Sequence, residues 1–263
     1  MGGARQLRIT MLKGEPALVF TVGDKRLLVV ADLHLGLEDE LAARGVNVPG
    51  LSARICERLV NLVDRVDPEE LVILGDLKHG VGPPSRSTQL VMEGLLSDLA
   101  RRGVALTLVK GNHDGGIENY LPPRVKIVRP RGFRVGEVGL FHGHSWPTEE
   151  VLAAELILAG HVHPAARVTD PNTGRRRVVR VWVISSPEEN ESAGTRDFAG
   201  ARLVLMPAYN QFVGYGLVGS QGSQRALGPL SRLISDSGVA HVLALDGTYL
   251  GTLRDLRGGR EKG

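Results

Sequence analysis

The first half of the chain alternates short apolar runs with longer segments in which apolar residues recur at helical spacing. Continuous aliphatic runs at 27–34, 71–76 and 104–114 predict strands that are buried on both faces. The segments 51–66 and 87–103 between them carry apolar residues every three or four positions and predict helices. A strand–helix–strand order with such strands predicts parallel pairing, with helices covering the sheet.

The second half of the chain has a different texture, with strands joined by short turns or polar loops. Strands are predicted at 126–130, 132–144, 155–163, 177–185 and 201–209, a helix at 147–155 and a hairpin at 239–256. Asp246 and Gly247 supply the turn of that hairpin. The two halves together predict an α/β fold, a four-layer α-β-β-α sandwich of two mixed sheets with helices outside, the first sheet being largely parallel.

No shift in composition marks a domain boundary, so residues 1–256 are predicted to form a single domain. Residues 257–263 are predicted to be a flexible tail. The stretch GYGLVG at 214–219 matches the glycine pattern of dinucleotide-binding loops. No strand–turn–helix unit surrounds it, and we therefore interpret it as a loop.

Composition narrows the class of protein. The chain has 263 residues, 42% of them hydrophobic, and a single cysteine, which excludes an intrachain disulfide and a thiolate metal site. No apolar run approaches the roughly 20 residues that cross a bilayer, and we expect a soluble, cytoplasmic protein without a membrane partner. The net charge of +3 and the pI near 9.2 permit a polyanionic partner but do not require one.

Polar side chains follow five of the predicted apolar runs, and seven of the eight histidines lie there. The motifs are ADLH, GDLKH, GNHD, FHGH and GHVH. They supply Asp32, His34, Asp76, His79, Asn112, His113, Asp114, His142, His144, His161 and His163. Because function in open α/β sheets gathers at the carboxyl ends of parallel strands, this clustering argues against solvated residues. His241 lies outside the motifs and is expected to be solvated.

The donor types in these motifs favour divalent cations. Residues i and i+2 of an extended chain face the same side, so Asp-x-His and His-x-His pairs can bind one ion together. Nitrogen and oxygen donors without thiolate favour Mn²⁺, with Fe, Zn²⁺, Ni²⁺ or Co²⁺ as alternatives, over a Ca²⁺ cage. Eight candidate ligands exceed the needs of one tetrahedral ion and suit two ions that share one carboxylate.

The five motifs, in this order over residues 32–163, resemble the signature of the calcineurin-like metallophosphoesterases. GDLKHG followed by PPS, with a late LVLMPAYN strand, more narrowly resembles the small ICC-like phosphoesterases found with bacterial DNA ligases and their archaeal relatives. A more distant resemblance is to the SbcD-type nucleases. The resemblance implies the calcineurin-like phosphoesterase fold and a two-metal hydrolytic site.

Carried over motif by motif, the resemblance implies a role for each residue. One cation would be held by Asp32, His34, Asp76 and His163, and the other by Asp76, Asn112, His142 and His161. Asp76 would bridge the two. His113 would stand over the substrate phosphate as general acid, and Asp114 would orient it.

Several residues near the motifs keep two interpretations. His79 stands where many family members have an acidic residue or asparagine, and it either contacts substrate or packs behind the ligands. His144 is a further candidate of this kind. Tyr209 and Asn210 either line the pocket or form a plain turn. Lys78 is expected to be a solvated loop charge rather than a phosphate clamp.

These features predict a dinuclear metal-dependent phosphoesterase that hydrolyses phosphodiester bonds of nucleic acid or nucleotides through a metal-activated hydroxide. DNA, RNA and cyclic nucleotides are the expected substrate classes. The alternative within hydrolases is a phosphomonoesterase. The alternative outside enzymes is a metal-bound scaffold that binds a polyanion or a protein partner. The motifs do not determine the substrate, the native metal or the oligomeric state.

Overall fold

A computed structural model gives the structure of residues 8–169, 173–192, 198, 200–218, 230 and 240–258. The first sheet contains β1 (Ile9–Met11), β2 (Ala17–Val22), β3 (Lys25–Val30), β4 (Glu70–Leu74), β5 (Ala105–Val109) and β6 (Lys126–Val128). Its strand order follows the chain. The pairs from β3 to β6 are parallel, as predicted, and β1 and β2 add an antiparallel hairpin that the sequence pattern did not indicate.

The second sheet is mixed, as predicted. It contains β7 (Phe133–Val135), β8 (Val138–Phe141), β9 (Leu156–Ala159), β10 (Pro164–Thr169), β11 (Arg176–Ser185), β12 (Arg202–Leu205), β13 (Gly216–Leu217), β14 (His241–Ala244) and β15 (Tyr249–Thr252). Strands β8, β9 and β12 run parallel, whereas β11 pairs antiparallel with β10, β12 and β14. The predicted late hairpin is formed by β14 and β15. Within GYGLVG, residues 214–218 are described, and β13 lies there beside β10.

Helices lie outside the sheets. They are α1 (Leu37–Ala43), α2 (Leu51–Val66), α3 (Arg86–Arg101), a 3-10 turn (Ile117–Tyr120), α4 (Glu149–Leu152), α5 (Pro187–Ser192) and α6 (Leu253–Gly258). The apolar stripe of α2, including Ile55, Leu59 and Leu62, is buried against the first sheet. None of the helices in the described segments combines the length and the apolar character needed to cross a bilayer.

The two sheets pack face to face through a shared apolar layer. Phe20 and Val29 of the first sheet and Leu158 and Trp182 of the second are at most 1% exposed and belong to one core cluster. Separate clusters lie between each sheet and its own helices. The predicted four-layer arrangement is confirmed, and it places the ends of β3, β4, β5, β8 and β9 beside one another.

The proposed extent of the domain stays a prediction. Helix α6 runs to Gly258, so the described chain continues as regular structure past residue 256. Residues 259–263 of the predicted tail lie outside the described residues.

Candidate metal centre

The backbone turns sharply where the strands give way to the polar motifs. Five residues of the motifs have a positive φ, a backbone conformation that is uncommon for residues other than glycine. They are Asp32 (58°), His34 (46°), Asp76 (50°), His161 (69°) and His163 (46°). Such conformations cost about 1–3 kcal/mol each and persist where the surrounding structure over-determines them. The surrounding structure therefore holds the backbone of these motifs in fixed conformations where the strands end.

Two glycines allow the motifs to approach one another. A Cβ at Gly75 would lie 2.1 Å from His142 Nδ1, and a Cβ at Gly111 would lie 2.1 Å from Asp76 Oδ1. Both clashes involve buried groups held by other contacts, so no small shift of the chain relieves them. The glycine that precedes Asp76 and the one that begins GNHD are therefore required by packing at the site.

A first group of ligand-type atoms comes from ADLH and GHVH. Asp32, His34 and His163 each offer one donor atom, and the three donors lie within 4.8 Å of one another. His34 Nε2 is 3.3 Å from His163 Nε2, and His163 Nε2 is 3.4 Å from Asp32 Oδ1. Segments 129 residues apart in the chain thus meet around a common point.

A second group comes from GDLKH, GNHD, FHGH and GHVH. Asp76, His142 and His161 offer donors within 4.8 Å of one another. Asn112 Oδ1 lies 3.2 Å from His142 Nε2 and adds a neutral oxygen donor at the same place. The ring of His161 stands 5.0 Å from that of His142.

Asp76 lies between the two groups. Its Oδ2 atom is 3.5 Å from His34 Nε2 of the first group and 3.4 Å from His142 Nε2 of the second. Its other oxygen, Oδ1, accepts a hydrogen bond of 2.9 Å from the His113 backbone N–H. One carboxylate oxygen is therefore within reach of both groups, while the other anchors the side chain.

The imidazole rings are oriented by bonds on the side away from the site. Nδ1 of His142 donates to the Leu74 carbonyl at 2.8 Å, and Nδ1 of His163 donates to the Gly214 carbonyl at 2.9 Å. Protons on Nδ1 leave Nε2 of both rings free as a donor to a metal, the arrangement that commonly fixes ligand histidines. Among the described residues, the buried Nε2 of His161 has no hydrogen-bond partner.

These distances fit bound cations. Two donors that lie about 2.1 Å from one ion are roughly 3.0–3.4 Å apart, close to the 3.3–3.5 Å seen here. Asp32 and Asp76 are at most 2% exposed. Two buried carboxylates without a balancing positive charge would be strongly destabilising. The donor set, its spacing and the orphaned His161 nitrogen together suit divalent metal ions.

The buried carboxylates and imidazoles of the site shift one another's pKa values. Burial raises the pKa of Asp76, but the hydrogen bond and charge of His142 outweigh it and hold that pKa below its ordinary value. Burial lowers the pKa of His142, but the hydrogen bond to Asp76 and the charge of Asp32 raise it to about 9.

His34 and His161 behave in the opposite way. Burial lowers the pKa of His34 to about 3 and that of His161 to about 4. Both rings are therefore neutral at physiological pH, which is the protonation state that a metal ligand needs. In this respect they are ready to bind a cation without first losing a proton.

His113 is positioned by the backbone of a neighbouring loop. Its Nδ1 donates to the carbonyl of His79, so Nε2 is the ring nitrogen left for another contact. The carboxylate of Asp114 instead accepts from the backbone of Gly111 at 2.8 Å and of Lys78 at 3.4 Å. In the described hydrogen bonds, Asp114 thus ties the GNHD and GDLKH loops together, and the carbonyl of His79 takes the orienting contact at His113.

The expectation that Lys78 is a solvated loop charge is wrong. The residue is 1% exposed, and its ammonium donates to the carbonyls of Gly80 (2.6 Å), Val81 (3.2 Å) and His113. Three carbonyls satisfy the three donors of the ammonium, so the charge can be buried. Lys78 therefore fixes the loop of residues 78–81 to the backbone of His113.

His79 connects the site to a residue that the motifs did not indicate. Its Nδ1 is 3.1 Å from Nδ1 of His34, and its Nε2 is 2.6 Å from Oε2 of Glu40 on α1. Oε1 of Glu40 pairs with Arg44 at 2.6 Å. The ring also stacks on that of His113, with centroids 5.6 Å apart. The ring of His79 thus lies against both His34 and His113, and its role stays a prediction.

The remaining candidates fall into different places. Tyr209 and Asn210 are fully buried, and the Asn210 side chain donates to the Leu33 carbonyl at 3.0 Å, so both hold a loop against the site rather than line an open pocket. His144 is partly buried near His142 and His161, and its Nδ1 lacks a described partner. His241 is half exposed on β14, as expected of a solvated histidine.

Residues 25–150 match the family model described as calcineurin-like phosphoesterase. This region contains the first four motifs, and GHVH lies beyond it. The chain is 28% identical over 152 residues to the SbcD subunit of the nuclease SbcCD from Bacillus subtilis (strain 168). That alignment covers 57% of this chain and 35% of the relative, so the chain spans about a third of the length of that protein.

A solved structure shares the architecture. The nuclease MPE of Pseudomonas putida superimposes with a TM-score of 0.55 at 20% identity, over 92% of this chain and 98% of that one, which shows a common fold. The phosphoesterase Yfce of E. coli aligns with a TM-score of 0.42 at 18% identity, over 86% and 96% of the two chains. The narrower resemblance to phosphoesterases found with DNA ligases stays a prediction. Residues 25–150, a little under half of the chain, are therefore similar to the calcineurin-like phosphoesterases.

Proposed function

We propose that this protein hydrolyses phosphodiester bonds of nucleic acid or nucleotides at a centre of two divalent cations. The observation that carries the proposal is the position of Asp76 Oδ2, which lies 3.5 Å and 3.4 Å from histidine nitrogens of two separate ligand groups. A carboxylate placed in this way is what two ions sharing one ligand require. Relatives named as nucleases favour a phosphodiester substrate.

The proposed ligands follow the two groups. Asp32, His34, Asp76 and His163 hold one cation, and Asp76, Asn112, His142 and His161 hold the other. Nitrogen and oxygen donors without thiolate suit Mn²⁺, with Fe, Zn²⁺, Ni²⁺ and Co²⁺ as alternatives. Such cations would neutralise phosphate oxygens and lower the pKa of an attacking water to near neutrality.

His113 is proposed as the general acid. Its Nδ1 is occupied by the carbonyl of His79, so the proton that it can give to a leaving oxygen is carried on Nε2. The backbone N–H of His113 donates to Asp76, which fixes the ring beside the proposed bridging ligand. Asn112, adjacent in the chain, places an amide oxygen at the second group. Proton donor and ligand thus come from one short, rigid turn.

The first test compares two chromogenic esters. With Mn²⁺ loaded, we expect turnover of bis(p-nitrophenyl) phosphate to exceed that of p-nitrophenyl phosphate at least tenfold in kcat/KM, and we expect chelation to abolish both. Preferred turnover of the monoester would instead establish the phosphomonoesterase. Absence of turnover of either ester, with two metal equivalents bound, would favour the scaffold.

A second prediction concerns Glu40, which acts through His79. Nε2 of His34 faces the other ligands, so its proton is on Nδ1 and is donated to Nδ1 of His79. His79 in turn donates the proton on its own Nε2 to Glu40. The hydrogen bond from His79 lowers the pKa of Glu40, which keeps that carboxylate ionised. Because outer-shell partners of ligand histidines commonly contribute 10–100-fold to affinity, we expect Glu40→Ala to weaken Mn²⁺ binding by roughly tenfold or more.

The measurement is a calorimetric metal titration, which does not depend on activity. Glu40→Gln keeps an acceptor oxygen and is expected to lose less affinity than the alanine variant. Glu93→Ala, which removes an exposed glutamate paired with Arg86 on α3, serves as the control. Wild-type affinity in Glu40→Ala would show that this chain of contacts does not support His34.

A further inference from the structure

A loop of residues 210–216 is fastened to the first ligand segment. The backbone N–H of Tyr209 donates to the Ala31 carbonyl at 2.8 Å, and that of Asn210 donates to the Asp32 carbonyl at 3.3 Å. The Asn210 side chain adds a bond of 3.0 Å to the Leu33 carbonyl. The start of loop 210–216 therefore lies directly against ADLH.

The end of the same loop is fastened to the last motif. The Gly214 carbonyl accepts a hydrogen bond of 2.9 Å from Nδ1 of His163. The Gly216 N–H donates to the His163 carbonyl at 3.1 Å, and Gly216 pairs with Pro164 as β13 joins β10. Loop 210–216 thus connects two of the segments that supply the first ligand group.

This fastened loop exposes two aromatic rings. Phe212 is 49% exposed and Tyr215 is 44% exposed. The Phe212 backbone N–H donates to Asn210 Oδ1 at 2.9 Å, and the Tyr215 hydroxyl donates to the Gln211 carbonyl at 2.8 Å, so the backbone at Phe212 and the ring of Tyr215 are held from within the loop. The rings are therefore presented to solvent by a rigid loop and not by a frayed one.

The exposure of Phe212 is unusual for this chain. All five phenylalanines lie in the described segments, and Phe212 alone is exposed, whereas Phe20, Phe141 and Phe198 are at most 1% exposed. Large rings usually contribute their area to the core. Two exposed rings on a hydrogen-bonded loop beside a ligand group indicate a binding role for their faces.

We infer that Phe212 and Tyr215 form a base-stacking site that selects single-stranded nucleic acid, either DNA or RNA, for the metal centre. The inference rests on the proposed function. A strand whose phosphate sits between the ligand groups carries its flanking bases past loop 210–216, where aromatic faces can stack on them. Bases inside a duplex are already stacked and cannot reach the rings. Two isolated rings are also too small a surface for a stable protein interface.

The test measures binding in the presence of a chelator, so that no hydrolysis occurs. Labelled 12-nucleotide oligothymidine, oligouridine and a DNA duplex of equal length are titrated with protein, and anisotropy gives each Kd. Wild type is expected to bind one or both single strands at least tenfold more tightly than the duplex. The difference between the thymidine and uridine probes then tells DNA from RNA.

The variants address the rings directly. Because stacking on an aromatic ring contributes about 1–3 kcal/mol per base, Phe212→Ala and Tyr215→Ala are each expected to weaken single-strand binding roughly 5–100-fold. Phe212→Leu keeps apolar volume without a ring and is expected to recover little of that loss. Tyr249→Ala, which removes another exposed tyrosine from β15, is the control and is expected to bind as wild type.

Two outcomes overturn the inference: equal affinity of wild type for single strand and duplex, or wild-type affinity in the double alanine variant. A kinetic readout separates stacking from damage to the site. The ratio of kcat/KM for the single strand to that for bis(p-nitrophenyl) phosphate is expected to fall at least tenfold in the double variant, and an unchanged ratio contradicts stacking. Absence of metal-dependent turnover in wild type would instead count against the proposed function.

Discussion

Asp76→Asn is expected to weaken both cations together and to lower phosphodiester turnover by roughly a thousandfold or more. The carboxylate oxygen Oδ2 lies within 3.5 Å of a ligand nitrogen in each group, so its loss is felt by both groups at once. Asparagine keeps the size of the side chain but removes the negative charge that would balance two dications. Each tenfold loss in rate corresponds to about 1.4 kcal/mol of transition-state stabilisation, and bound cations supply several kcal/mol.

Metal content after dialysis and calorimetric titration with Mn²⁺ give the readout for this variant. Asp67→Asn is a matched control, because Asp67 has the same φ of 50° as Asp76 but is exposed at the end of α2. The control should fold, bind two ions and turn over as wild type. Retention of one ion at full affinity in Asp76→Asn would show that the carboxylate serves a single site.

His113→Ala is expected to keep both cations while lowering turnover about 10²–10⁴-fold, the usual contribution of a general acid. The ring is held by the carbonyl of His79, and in the proposed ligand sets it binds neither ion. The loss should be larger for an oligonucleotide, whose alkoxide needs a proton on leaving, than for a p-nitrophenyl ester with a good leaving group. That difference is the signature of proton donation.

Metal analysis and paired rate measurements on the two substrates test this variant. His241→Ala removes a half-exposed histidine outside the motifs and should leave both readouts unchanged. Loss of an ion from His113→Ala would make the residue a ligand. An equal fall in rate for both substrates would contradict its role as the acid.

The elements predicted correctly were those with a long or strong pattern. Helix α2 was predicted at 51–66 and runs from Leu51 to Val66. Its apolar residues recur at helical spacing over 16 residues, so few other structures and helix orientations would bury them all. The hairpin of β1 and β2 and the short α1 were not predicted. β1 spans three residues, none of them buried, and is defined by its pairing with β2, a tertiary contact that local pattern does not encode.

The residues of the candidate site also differ in whether the sequence could predict them. The predicted ligands were visible in the motifs because each stands within a few residues of a strand end. Glu40 was not visible, since its contact with His79 crosses 39 positions and begins on an exposed helix. The burial of Lys78 was equally hidden, because it depends on three carbonyls that only the folded loop brings together. The motifs therefore identify the candidate donor residues, whereas the residues that position them become visible only in the folded structure.

The left-handed backbone of the motifs bears on which substitutions related chains would accept at these positions. Histidine adopts such a conformation at a cost that glycine does not incur, and His34, His161 and His163 all adopt it. A related chain in which these side chains had no role would gain about 1 kcal/mol of folding stability at each of these positions by acquiring glycine. Glycine at these positions, in a related chain that keeps the fold, would therefore indicate that the donor side chains are no longer needed there.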